Sequence, residues 1–536
     1  MGPVAAGPPT AAPTISPQPG ADPRGIVTGF LDANASEDRN HAGARLFLTP
    51  DARNRWSDTT VTVLDATQVS VFDSVHSTIT VTGRRIGTID SSGIYSPALT
   101  GDGRGGDKAT FDFGITLVGG QWRIDQLKDG LVLSLAQFGS FQQRPLYFFD
   151  LGERHLVPDP RYSPLPDTNQ ADLATWLIGQ VAAGPRPELQ SAVRTELPAQ
   201  TDPRSITVTV GDVVSITLPG AAQLDPTTLN RLAEQLAQTL QAVTGSEPIQ
   251  IVDAGKPLKI PKVAGTQFSS ADFANTVAPS VPPLFYIRQG KVLTATGVPV
   301  PGPLGAGTYA LTSVALAADG TKDTRVAGTT GTGPLRLLTG TRLTGLHATG
   351  VQGELSRPTW APGLDEVWIG NGQSIVRVND GRATAVPVTT TTGKLVGRVV
   401  ALRFSPEGSR IAVVLAAPEG TVQLWIGSVI RSSGQVQVDN LEAVTPIGVE
   451  LTDVAWNDEL KLFVTGHYTT GEASVFEVQV DGSLWTPRAI TGLPGAPDSI
   501  TVAENVPAWV SAGETVWTQR GSSWISPSAG ANETDG

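Results

Sequence analysis

The chain has 536 residues, 40% apolar and 16% charged, with a formal net charge of −12 and no cysteine. That balance is globular and long enough for three or four domains rather than one core. It excludes disulfides, thiolate metal sites and cysteine nucleophiles. It also argues against a nucleic-acid partner, because phosphate neutralisation needs clustered Lys or Arg and no basic run occurs.

The chain opens Met1-Gly2-Pro3, with no signal peptide, and reads as an initiator placed on a trimmed sequence. No stretch reaches the ~18 apolar residues of a membrane helix. Residues 1–21 carry six prolines among small polar residues and no charge before Asp22, a composition expected of a flexible tether. Asp22-Pro23 then supplies an N-cap and a proline for the first helical turn, followed by Ile26, Val27, Phe30 and Leu31 at helical spacing. A second short helix is expected over 41–48. From Thr60 the pattern alternates, and Phe111 to Leu117 should meet Gln121 to Asp125 across a Gly119-Gly120 turn. Residues 22–144 therefore read as one α+β domain with helices ahead of a curved antiparallel sheet.

A second α+β domain spans 145–261. Its first helix, 170–183, places Leu173, Trp176, Leu177 and Val181 on one face and stops at Gly184-Pro185. Two strands flank Gly211-Asp212. Asp225-Pro226 caps a helix whose Leu229, Leu232, Ala233, Leu236 and Leu240 recur at helical spacing until Gly245, and a strand returns at Pro248 to Val252. A connector, 262–283, follows. Its Phe268 and Phe273 favour burial, so the middle domain is expected to dock on what comes next.

From 284 to 530 one phrase returns five times: an apolar strand, a small or polar residue, a turn, a second apolar strand. Ala317, Ala361, Ser405, Asn457 and Ala503 mark equivalent points, 44, 44, 52 and 46 residues apart. A period of ~40–50 residues of short antiparallel strands predicts the blades of an all-β propeller, whereas a β-sandwich does not predict such even spacing. Five copies imply five blades; six is the alternative if the N-terminal strands build their own. The hairpin Leu284 to Thr294 is expected to complete the blade that begins at Ile500, closing the ring. Eight of the 11 tryptophans lie between Trp360 and Trp524, where packing between blades accounts for most of them. Residues 531–536 form a tail.

The search for chemistry returns an empty catalytic, cofactor and metal inventory. His41, His76, His155, His347 and His467 are too dispersed for a metal pair. No nucleophile-elbow motif occurs, and Gly393-Lys394 is followed by Leu395 where a phosphate loop needs Ser or Thr. Gly101 to Gly106 satisfies a Gly-x-Gly-x-x-Gly pattern, but a strand follows it instead of a helix N-terminus. Asp65 with Asp73, and Asp365 with Glu366, are acidic pairs that read as solvated turns. Asp319-Gly320, Asp380-Gly381 and Asp481-Gly482 read as hairpin turns. Asn34-Ala35-Ser36 and Asn532-Glu533-Thr534 match a glycosylation sequon of a kind frequent by chance.

The run Ala171 to Gln180, with Gly184-Pro185, Glu196-Leu197-Pro198 and Gln238-Thr239-Leu240, resembles the GerMN domain of sporulation and germination proteins. Residues 22–144, with Gly120-Gln121-Trp122-Arg123-Ile124 in a late strand, look like an NTF2-like cone. These two domains ahead of a propeller resemble the LpqB family of actinobacterial lipoproteins over 22–530, and the domain order makes the resemblance specific. It implies a secreted protein held on the outer face of the cytoplasmic membrane by lipid on an N-terminal cysteine, the palmitate-bearing product of a signal peptide absent here. It also implies a partner, the extracytoplasmic domain of the sensor histidine kinase of a two-component system, MtrB, and no catalytic residues. The residues themselves leave two other readings open. One is an envelope enzyme acting on glycans or cell-wall fragments through a ring of acidic or histidine residues in the propeller channel. The other is a small-molecule or cell-wall ligand protein, with the 22–144 cone enclosing an apolar molecule.

Overall fold

A computed structural model describes residues 15–36, 41–98, 106–139, 141–163, 170–199, 201–245, 247–263, 265–273, 284–317, 324–391, 393–432, 434–444, 449–468, 470–503, 506–513 and 515–526. Most of the N-terminal stretch read as a tether, the Gly101 to Gly105 stretch, Asp319-Gly320, the second half of the connector, Asn532 and the tail lie outside the described residues. The chain divides into two units. One comprises Met1–Ala98, Gly106–Gln143 and Arg161–Leu173, and the other comprises nearly all of the rest.

In the first unit Asp22 caps helix Pro23–Asn34 by accepting from Gly25 N, with proline in the first turn, as the sequence predicts. Ile26, Val27, Phe30 and Leu31 are all buried. Two shorter helices, Ala42–Arg45 and Pro50–Arg55, lead into the sheet. Its strand order is Gln121–Gln126, Lys108–Val118, Thr78–Ile89, Val61–Val69, Leu131–Ser134, with Tyr95–Pro97 added on Thr78–Ile89. The Gly119-Gly120 turn has φ of +58° and +78°, a left-handed pair that glycine adopts without strain. Rings fill the interior: Phe30 meets Trp56 at 5.3 Å and Phe113 at 5.8 Å, while Tyr95, Phe138 and Tyr162 pack together at the other end. Tyr95 passes so close to Gly87 that a Cβ there would lie 2.1 Å from its hydroxyl.

In the second unit the middle domain has two small sheets. In one, Thr207–Thr209 pairs antiparallel with Val214–Thr217, which runs parallel to Ile249–Asp253. Helix Pro226–Thr244 is the crossover between the parallel strands, and Asp225 caps it through Thr227 N and Thr228 N. All five of its predicted apolar positions are buried. Helix Gln170–Ala183 buries Leu173, Ala174, Leu177, Ile178 and Val181, whereas Trp176 is only half-buried, so its inner face is rotated from the expected one. The other sheet, Leu156–Asp159, Leu146–Asp150 and Val193–Arg194, was only partly legible, because its two edge strands are short. Gln235, fully buried on the long helix, joins the layers: its amide donates to Tyr147 O (2.7 Å) and its carbonyl accepts from Glu196 N (2.9 Å).

Five sheets of four or more strands follow, spanning Leu311–Leu316 to Gly345–Gly353, Thr359–Trp360 to Arg382–Val386, Val388–Thr390 to Gln435–Ala443, Val449–Trp456 to Trp485–Arg488, and Ser499–Ala503 to Ser523–Ile525. They are called here the first to fifth blades. The third has six strands, because Val388–Thr390 adds parallel to Gln435–Ala443 and brings Gly393–Lys394 with it. The recurring phrase has one structural cause. In the first four blades the residue after the inner strand donates its N–H to the start of the second strand: Ala317 to Arg325 O, Ala361 to Glu366 O, Ser405 to Arg410 O and Asn457 to Lys461 O, at 2.9 to 3.1 Å. A small or polar residue closes that turn.

Among the described residues the hairpin does not complete the fifth blade, as it was expected to. The fifth blade is built from four strands of its own, and Phe285–Arg288 pairs only with Lys291–Thr294 among the described residues. The hairpin cannot join the fifth blade because that sheet's outer strand, Ser523–Ile525, already comes from the C-terminal end. The hairpin instead packs on the first blade through Val292, with Leu304, Leu311 and Val326.

The connector's role also differs from the expectation. Phe268 and Phe273 are buried, but Phe268 exchanges backbone bonds with Ile249 and extends the middle domain's own sheet. Docking on the propeller runs through other groups: Arg410 Nη1 donates to Pro158 O (3.1 Å), Ser428 Oγ to Glu188 O (2.6 Å) and Ser191 Oγ to Asp439 Oδ2 (3.1 Å).

Candidate functional site

The inner strands of the propeller border a cavity of about 1370 Å³. It is lined by the hairpin strand Phe285–Arg288, the inner strands of the first, second and fifth blades, and the face of the fifth blade carrying Trp509. Four arginines, Arg288, Arg325, Arg357 and Arg403, stand in its wall against two carboxylates, Asp453 and Asp498. No histidine belongs to the lining.

Buried in this wall is Asp453, with a side chain 1% exposed. A register shift between Leu451 and Asp453 in the inner strand of the fourth blade sets it here. It accepts from Arg357 Nη1 at 2.7 Å, Arg403 Nη2 at 3.4 Å and Ile500 N at 3.2 Å. Arg357 precedes the second blade's inner strand and Arg403 lies on the third's, so one carboxylate joins four neighbouring blades. Arg357 also reaches Asp498 O (3.2 Å) and Arg403 reaches Leu402 O (2.7 Å). Burial lowers the affinity of Arg403 for its proton; Asp453 opposes this and the like charge of Arg357 adds to it. Two guanidiniums share one carboxylate, leaving the cluster with a positive excess.

The ring of acidic or histidine side chains expected of a hydrolytic channel is not formed by the described residues of the lining.

The acidic pairs read as solvated turns have structural partners. Asp65 pairs with Arg84. Asp73 binds the His76 ring at 2.6 Å and accepts from the backbone of its own turn. Asp365 is exposed and paired with Arg325 (2.9 Å), while Glu366 is buried between Arg377 (2.9 Å) and Arg431 (2.7 Å). The five histidines are not brought together: His41 is buried against Asp58 (3.0 Å), His155 and His347 are exposed, and His467 lies 3.7 Å from Glu450. Among the described residues no group of three or more acidic or histidine side chains could hold a metal ion. Asp380-Gly381 is a left-handed hairpin turn, and Asn34 of the first sequon is fully buried.

What the sequence reading missed is a clasp that occurs twice. Trp360 of the second blade donates its indole N–H to Ala315 O of the first, with Arg325 stacked 5.0 Å over its ring. Trp456 of the fourth donates to Arg403 O of the third, with Arg410 5.5 Å above it. Both arginines open the second strand of the preceding blade and reach a carbonyl of the turn after the tryptophan, Leu364 O or Glu459 O. Arg and Trp at matched positions of alternate repeats were the available signal.

A second polar cluster sits where the middle domain meets the third blade. Arg186 Nε donates to Glu188 Oε2 (2.8 Å), and Arg186 N donates to Asp159 Oδ2 (2.8 Å). Glu188 and Glu442 share a hydrogen bond between their carboxyls. Burial, then the charge of Glu188, pushes the Glu442 carboxyl up to about 7. Burial, the largest single effect, would raise Glu188 too, but the Arg186 charge together with hydrogen bonds from backbone, Arg186 and Glu442 holds this carboxyl below the ordinary range.

Three family models match the chain in order: "Lipoprotein LpqB, N-terminal domain" over 16–139, "Sporulation and spore germination" over 145–259 and "Lipoprotein LpqB beta-propeller domain" over 290–534. The chain is 29% identical to lipoprotein LpqB of Rhodococcus jostii over 527 residues, covering 92% of this chain and 85% of that protein. It is 30% identical to lipoprotein LpqB of Mycolicibacterium smegmatis over 437 residues, covering 76% and 72%. Among solved structures, a putative TolB from Agrobacterium tumefaciens aligns at 14% identity over 33% of this chain and 63% of that one, with a TM-score of 0.26. The relatives' shared name is that of a lipoprotein and not of an enzyme, and no helix among the described residues is long and apolar enough to cross a membrane. Matched along most of its length, domain by domain, the chain belongs to the lipoprotein LpqB family.

Proposed function

We propose that this protein is a lipid-anchored accessory protein on the outer face of the cytoplasmic membrane. It binds the extracytoplasmic domain of a sensor histidine kinase, MtrB-like, and modulates two-component signalling in envelope homeostasis. The observation that carries the reading is the fastening of the middle domain to the propeller by Arg410, Ser428 and Asp439. Two binding-type folds thereby present one fixed surface of loops, and the Asp453 carboxylate in the cavity wall is held by Arg357 and Arg403. A partner held there is shifted in activity only if its two signalling states are bound unequally.

The test is a titration of immobilised kinase ectodomain with the purified protein, followed by autophosphorylation of the full-length kinase in vesicles. Saturable binding together with a changed phosphorylation rate is expected. Absence of saturation at tens of micromolar sinks the reading.

A further inference from the structure

Three observations converge on the cavity of the propeller. The first concerns an edge. Each of the five blades has at least four strands, whereas the hairpin between the fifth and first contributes two. Six consecutive residues, Leu284 to Gln289, line the cavity. Side chains along a strand alternate between faces, so an unbroken run of lining residues presents its backbone edge. Phe285–Arg288 has no second strand partner among the described residues, and with the inner strand Leu311–Leu316 it borders the cavity.

The second concerns a face. On the fifth blade Trp509 stands opposite Thr518, and Ser511 opposite Val516. All four line the cavity, where a full neighbouring sheet would otherwise cover them. Trp509 is half-buried and the adjoining Pro507 is exposed, so an aromatic face within a mixed wall is open to solvent.

The third concerns charge. The protein as a whole carries −12, yet the cavity wall holds Arg288, Arg357 and Arg403 against Asp453 and Asp498, its fourth arginine, Arg325, being paired with Asp365 (2.9 Å). Arg403 and Arg357 compete for Asp453, and the Arg403 bond, 3.4 Å, is well beyond the ~2.7–2.9 Å of a good charge-assisted pair. A second carboxylate arriving here would relieve the repulsion of two guanidiniums. The overall negative charge turns away dense polyanions such as nucleic acids, but it permits single acidic side chains.

We propose that this cavity binds an extended acidic peptide segment, which adds as a strand to the free edge of Phe285–Arg288. One acidic side chain of the segment pairs with Arg403 and Arg357, and an alternate apolar side chain lies on Trp509. Strand addition gives affinity through the main chain, and the alternation of side chains gives selectivity. The volume exceeds the ~300–1,000 Å³ of ordinary small-molecule sites, as a peptide several residues long requires. The site stands independently of the kinase reading: a kinase ectodomain that fails to bind leaves it untouched.

The probe is a fluorescein-labelled octapeptide of alternating valine and glutamate, with alternating valine and lysine as its counterpart, each followed by anisotropy against the full chain. The wild-type protein should bind the glutamate peptide at least tenfold more tightly than the lysine peptide. Arg403→Gln should weaken it tenfold or more, and Trp509→Ala should weaken it with the preference for acid retained. Asp453→Asn removes the internal competitor and should tighten binding several-fold, a change opposite in sign to that of Arg403→Gln. Equal affinity of the wild-type protein for the two peptides, or no binding up to millimolar concentration, overturns the proposal without reference to any variant. It is equally overturned if Arg403→Gln and Asp453→Asn, both folded, weaken binding alike, since that marks a purely structural cluster.

Discussion

Arg410 of the third blade donates to the carbonyl of Pro158, 252 positions earlier in the chain, from a side chain only 3% exposed. The same guanidinium holds Glu407 (2.9 Å), reaches Glu459 O (2.7 Å) and stacks on Trp456. One side chain thereby serves a turn, a joint between blades and a joint between domains.

Replacing it should be costly. Arg410→Met leaves the buried Glu407 carboxylate without its counter-ion, and breaking a buried pair from one side costs roughly 3–5 kcal/mol. Urea unfolding should report that loss. Ser428→Ala, which removes one bond to the middle domain, should cost about 1 kcal/mol. A loss for Arg410→Met below that of Ser428→Ala contradicts the assignment.

Glu442 makes stability depend on pH in a defined direction. Its carboxyl sits at about 7 in the folded protein through burial and the Glu188 charge, against an ordinary value of 4.5. Between those values the folded state keeps a proton that the unfolded chain has released, so stability falls as pH rises across the window. At about 1.4 kcal/mol per unit the loss is up to about 3 kcal/mol, shared with Glu188 as a coupled pair. Denaturation midpoints between pH 5 and 8 should decline for the wild type and stay level for Glu442→Gln.

The first domain has its own weak point. Phe138 is fully buried, stacked on Tyr95 at 5.6 Å and tilted against Tyr162 at 5.1 Å. Phe138→Ala should lower stability by about 3–5 kcal/mol through the cavity it leaves. Near-ultraviolet circular dichroism should show the loss of ordered tyrosines, and an unchanged spectrum contradicts the stacking described.

The connector offers a proteolytic test. Phe268 is 2% exposed and bonded through its backbone to Ile249 (2.7 and 2.9 Å). Chymotrypsin under native conditions should spare this position in the wild type. The Phe268→Ala variant should open the segment around it and expose Phe273 to cleavage. Rapid cutting of the wild type at Phe268 contradicts the burial.

Much of this was legible in the sequence because local chemistry and tertiary structure agree. Asp22 and Asp225 cap the helices they were expected to cap, and the Gly119-Gly120 turn falls between the two strands it was read to join. The blade phrase was visible because its turn selects small or polar residues at Ala361, Ser405 and Asn457. The hairpin's place in the ring was misread, since a hairpin's sequence states that two strands pair but not which sheet they adjoin. The cluster in the cavity wall was invisible for a related reason. Arg357, Arg403 and Asp453 are about 50 residues apart, and only the return of each blade to a common axis brings them together. The paired carboxyls of Glu188 and Glu442 likewise meet only because the middle domain docks.

The tie through Asp453 has a mechanical consequence. One carboxylate bonds to groups from the second, third and fifth blades while belonging to the fourth, so moving any of these three away from the fourth costs a bond to the same buried group. The hairpin, fastened to the first blade, takes no part in that knot. If the circle breathes, it parts at this one hinge-side gap, like a bracelet at its catch, and amide exchange should be fastest along that margin.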